Sequence, residues 1–247
     1  MNLLNYTLRI GDSSLIIAQR LSEWCTNGPT LEEDIALTNI SLDLFGQDNG
    51  FLEYAANIKG KGTADDLAFK RDSNNFFNLQ ITEQENGNFA KTIGRQYLYS
   101  SFFFLFYTEL SNSKDENLAA LAAKSLKEIK YHLRHCRSWM IRLGDGTKES
   151  NNKLQDAINE IWEFTGEFFE IDGIDEDMIK NNIGVNNKML KDKWDELIDE
   201  TLKLSKIKKP ENIDMRTGGK KGIHTNHLNT LLEEMQYIPR KYPNAKW

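Results

Sequence analysis

Only four prolines occur in this chain, at positions 29, 210, 239 and 243, and none interrupts the long stretch between Pro29 and Pro210. Proline removes a backbone donor and clashes with the preceding helical turn, so its absence leaves helices free to run long. The apolar positions supply the helical period. Leu8, Leu15, Ile16, Ala18 and Leu21 mark a first segment, about 5 to 24, which Asn27-Gly28-Pro29 breaks. Leu37, Ile40, Leu44, Leu52 and Ala55 mark a second, about 31 to 58, with Thr30 and Glu33 in the T-x-x-E spacing of a capping box. A third, about 89 to 111, is capped by Asn88 and carries YLYSSFFFLFY; apolar nearly all round, it must be covered on several sides. A fourth, about 116 to 143, starts after Asp115 and stops at GDG. Shorter helices are expected at about 150 to 169, after DGIDED, at about 187 to 205 and at about 225 to 238. Residues 60 to 87 read as a long loop with a helical piece near 64 to 69, and no strand pattern has comparable strength. The prediction is an all-α fold: a four-helix antiparallel bundle with additional C-terminal helices.

With 28% charged residues, 39% hydrophobic residues and a net charge of −6, the chain reads as globular and too acidic for a generic nucleic-acid binder. Two cysteines, Cys25 and Cys136, rule out a disulfide framework; reduced, buried thiols and a cytoplasmic location are expected. The N-terminus has no basic segment or cleavage pattern of a secretory signal. The most apolar run, Tyr97 to Leu110, is too short and too interrupted to span a membrane.

The stretch EIKYHLRH places Glu128, His132 and His135 at i, i+4 and i+7, on one stripe of the fourth helix. A di-iron bundle uses a Glu on each of two helices and a Glu-x-x-His motif on each of the other two. The four histidines are at 132, 135, 224 and 227, so the first three helices hold none, and the residues three before them are Ile129, His132, Lys221 and His224. Glu-x-x-His is therefore absent. Asp43 in DLFGQ has Gly46 at i+3, a carboxylate without an imidazole. Asp43, Glu128, His132 and His135 read as a degenerate di-iron position with no metal and no catalytic role, held by hydrogen bonds that buried polar groups need in any case.

Near the C-terminus, RTGGKKGIHTNHL lacks the Walker spacing. Lys220, Lys221 and amides at a helix start capped by Thr225 would suit an anion such as the phosphates of coenzyme A, while His224 and His227 are two imidazoles without a third ligand. The alternative is a structural loop that docks a partner chain. Neither cysteine lies in a C-x-x-C, and no nucleophile elbow or dinucleotide fingerprint occurs.

Taken in order, YTLRIGD, RLSEWC, LFGQ, NGNFAKTIGRQY, KEIKYHLRH and RTGGKKGIHTNHL followed by EMQYI resemble the PaaC family, the ferritin-like non-catalytic subunit of the bacterial phenylacetyl-CoA ring 1,2-epoxidase. The resemblance runs the length of the chain. It implies one ferritin-like domain over residues 1–247, with the core bundle at about 5–143 and extra helices at about 150–240. It also implies a structural role beside a paralogous catalytic subunit that carries the di-iron centre, with no cofactor bound by this chain. A small bridging subunit would join such pairs, and an NADPH-dependent reductase would supply electrons for epoxidation with O2. The expected partner interface lies on the first two helices and the aromatic third. Two other readings stay open: a self-sufficient di-iron oxygenase with atypical ligands, and a coenzyme A-binding regulatory module using GGKKG.

Overall fold

The computed structural model describes residues 1–243 and 245. Eleven α-helices follow in chain order: α1 (Asn2–Ser22), α2 (Leu31–Lys59), α3 (Ala64–Phe69), α4 (Gln80–Glu83), α5 (Phe89–Leu110), α6 (Glu116–Gly144), α7 (Lys148–Ile161), α8 (Gly173–Lys180), α9 (Lys191–Leu204), α10 (Asn226–Met235) and α11 (Tyr237–Lys241). No strand occurs among the described residues. The fold is all-α and ferritin-like, with α1, α2, α5 and α6 as its four long helices.

Two compact units share these helices: residues 1–85 with 218–247, and residues 86–217. In the first, α1 and α2 form an antiparallel pair. Ser41 donates to the Ala18 carbonyl at 2.8 Å near one end. Towards the other, Gly11 meets Leu52 so closely that an added Cβ would lie 2.9 Å from the leucine side chain. Leu8, Leu15 and Ile16 pack on Leu52 and Ala55, and α3, Phe76 and α10 complete that core. Burying such side chains removes apolar surface from water, at about 25 cal/mol per Å².

In the second unit, α5 and α6 pair antiparallel: Phe89, at the start of α5, stacks edge-on against Trp139 near the end of α6. Asn88 and Asp115 accept from Lys91 N and Leu118 N, the N-caps expected for these helices. The α5 aromatics are consumed by this unit. Phe102 stacks on Phe168 at 4.6 Å, Phe168 in turn meets Trp194, and Tyr97 donates to the Leu197 carbonyl at 3.0 Å. Phe102, Phe103, Phe106 and Tyr107 are all buried, while Phe104 and Leu105 are half-buried.

Other differences have local causes. Cys136 is buried as expected, but Cys25 is exposed because it falls in the turn beyond the last buried residue of α1, Leu21. Thr30 accepts from Glu33 N at 3.4 Å, half of the anticipated box; reciprocal boxes form instead at Thr63/Asp66, Thr147/Ser150 and Asp172/Asp175. The 150–169 and 187–205 segments each mix α- and 3-10 turns. The last predicted helix breaks at Gln236 and restarts with Pro239 in its first turn, where a missing N–H costs nothing. No described helix is long and apolar enough to cross a membrane.

Candidate functional site

Four side chains singled out by their residue types, Lys220, Lys221, His224 and His227, lie in the first unit, and the structure shows what holds them. The glycines around the two lysines answer to backbone geometry. Gly218 has φ +126° and Gly222 φ +77°, both in the region open chiefly to glycine, and a Cβ on Gly222 would sit 2.4 Å from the Asn74 carbonyl oxygen. The loop bonds to itself: Lys221 N and Ile223 N donate to the Gly218 carbonyl, and Gly222 N to that of Gly219. Those amides are thus spent inside the turn, whereas a phosphate cradle needs them pointing outward. Lys220 is buried and its carbonyl accepts from Arg9 at 3.2 Å; Lys221 is exposed.

Below this turn lies a buried polar cluster centred on Glu83, at the end of α4. Its carboxylate accepts from Thr225 N at 2.6 Å and Asn78 Nδ2 at 3.1 Å, and faces His224 Nδ1 at 2.9 Å. His224 Nε2 donates to the Phe76 carbonyl at 2.9 Å. Both imidazole nitrogens face oxygen atoms, so the ring is held at both ends. Arg20 ties in two more strands of the network, donating to the carbonyls of Glu83 and His227 at 3.0 Å each. Thr225 stands at the N-cap of α10 but makes no side-chain cap bond; it engages Glu83 through its N–H instead. His227 meets Glu85 at 3.4 Å on the surface, and so does not share a ligand with His224. The cluster fastens residues 218–228 onto α1 and the α3–α4 segment.

A second buried charge pair lies beside it. Asp12, fully buried in α1, receives two bonds from the Arg71 guanidinium, one of them 3.0 Å, and a third from Phe77 N at 2.9 Å. Arg71 also sits over the Phe76 ring at 4.2 Å. Asp48, on α2, is pushed up to about 8, first by burial and then by repulsion from Asp12 and Asp65.

On α6, His132 is fully buried while Glu128 and His135 are half-buried, and the Tyr131 ring lies 5.9 Å from that of His135 in a stacked arrangement. Asp43 is half-buried on α2. A ferritin-like fold implies a carboxylate-bridged metal pair, and these residues do not fit one: among the described residues, no three or more His, Cys, Asp or Glu side chains gather where a metal ion could be held.

Sequence reasoning missed Glu83, Asp12 and Asp48. Glu83 pairs with a histidine 141 residues away, a separation at which no local spacing signals a partner.

The family described as Phenylacetic acid catabolic protein matches residues 1–247. The chain is 47% identical over 242 residues, 98% of both chains, to a protein of Escherichia coli (strain K12) named as a subunit of 1,2-phenylacetyl-CoA epoxidase. An all-α chain with ferritin-like helices, matched along its whole length by this family, belongs to the phenylacetic acid catabolic proteins.

Proposed function

We propose that this chain is the structural, non-catalytic subunit of a multicomponent phenylacetyl-CoA 1,2-epoxidase, and that it holds a paralogous catalytic subunit in working shape. The observation that carries the reading is the 47% identity to an epoxidase subunit across 98% of both chains. The donor set agrees with it, since the described residues offer no cluster of His, Cys, Asp and Glu fit for iron. In this role the chain needs no cofactor; the di-iron centre belongs to the partner, and electrons reach it from an NADPH-dependent reductase. A small bridging subunit would complete the assembly.

What the chain contributes is a preorganised surface. An active site stays precise when its supporting shell is rigid. Here the Glu83–His224 and Asp12–Arg71 pairs pin the first unit from inside. On α2, Leu31, Ile35 and Leu42 are 71%, 53% and 60% exposed and share one face, at i, i+4 and i+11. Large apolar side chains left outside in a row mark an interaction site. Co-expression with the catalytic subunit tests the proposal. A stable complex that epoxidises phenylacetyl-CoA, against a partner that is inactive or insoluble alone, is the expected result; full activity of the partner alone overturns it.

A further inference from the structure

A cavity of about 200 Å³ opens between α1, α2, α3 and the end of α10, and its lining combines two kinds of group. Phe45, Phe69, Leu52 and Met235 give it apolar walls, while Asp48 and Asp65 are its acidic residues. Asp48 is only 6% exposed, and its enclosed Oδ2 has no hydrogen-bond partner. A buried carboxyl oxygen without a partner is costly, and evolved interiors rarely keep one idle. The neighbours do not supply the missing charge: the Arg71 guanidinium is committed to Asp12.

We propose that this cavity is a receptor for a single alkylammonium group, whose chain lies against the phenylalanines and whose nitrogen donates to Asp48. The chemistry disfavours a divalent metal. A divalent metal needs several oxygen ligands, and the described residues form no cluster of three or more. The volume also limits the occupant, since it falls below the several hundred Å³ of typical small-molecule sites and suits one short chain. The raised Asp48 carboxyl is the counterpart of the same geometry. Asp12 on α1 and Asp65 on α3 repel its ionised form, and the polar lining on Gln19 and Asn49 carries no charge; an incoming ammonium restores that form.

The nitrogen has two sources, a free aliphatic amine or a lysine side chain of a partner subunit. The test titrates the purified full chain with n-butylammonium and, in parallel, with n-butanol, its uncharged counterpart. Saturable binding of n-butylammonium, weakened at least about tenfold by Asp48→Asn and tightening about tenfold between pH 6.5 and pH 8.5 as Asp48 ionises, is the expected result. The thermal melt of Asp48→Asn shows that the variant is folded. Equal binding of n-butanol, or unchanged binding to the variant, overturns the proposal. Adding n-butylammonium to the assembled complex then separates the sources: weakened association assigns the site to a partner lysine, and unchanged association to a free amine. The titration uses this chain alone, so its failure would leave the structural-subunit reading standing.

Discussion

At the level of single residues, three of the four buried carboxylates among the described residues of the first unit, Asp12, Asp48 and Glu83, are handled differently. Asp12 is satisfied by Arg71, Glu83 by His224, Asn78 and a backbone N–H, and Asp48 by neither. The raised value of Asp48 makes stability depend on pH in a definite direction. The unfolded carboxyl ionises near 3.8 and the folded one near 8, so the native state holds the extra proton between them. Its stabilising share is therefore complete below about pH 4 and declines as pH rises to about 8, by up to about 1.4 kcal/mol per pH unit. Asp48→Asn cannot ionise; denaturant unfolding should show it gaining on the wild type steadily from pH 4 to pH 8. Glu83→Ala should cost about 3 kcal/mol in the same measurement, because it removes the acceptor of Thr225 N and the buried partner of His224. Combining it with His224→Phe should cost less than the sum of the two changes, since both break the same pair. Neither carboxylate pairing was legible beforehand. Glu83 sits in a stretch read as loop, and its partner arrives from the other end of the chain.

At the level of elements, the long helices were legible because period, breakers and caps agreed: the caps at Asn88 and Asp115 and the proline-free run reappear in the structure. Where these signals weaken, so does their power to predict. The loop from 60 to 87 contains α3, a 3-10 turn and α4, which are held by tertiary bonds to α1 and to residues 218–228 more than by propensity. The aromatic helix shows the limit of composition: an all-round apolar helix must be covered, but only packing reveals that Phe168 and Trp194 in its own unit do the covering. Among the apolar side chains left exposed, Leu31, Ile35 and Leu42 share one face of α2. Replacing Ile35 and Leu42 by Glu should weaken association with the proposed catalytic subunit at least about tenfold by titration calorimetry, while leaving the melting temperature of the isolated chain within a few degrees. An undisturbed complex would move the interface elsewhere.

For the whole molecule, what matters is what the ferritin-like helices do not carry. Counting histidines and their spacing was enough to see that a symmetrical di-iron site cannot be assembled, since no imidazole precedes residue 132. The structure places Glu128, His132 and His135 on α6, with His132 buried and the other two half-buried. In the GGKKG turn the amides of Lys221, Gly222 and Ile223 donate to the carbonyls of Gly218 and Gly219. The most direct test is the iron content of this chain purified alone and in complex with its catalytic partner. The predicted result is iron in proportion to the partner and none retained by the isolated chain. About two irons per isolated chain, lost when Glu128 and His132 are replaced by Ala, would contradict the structural role.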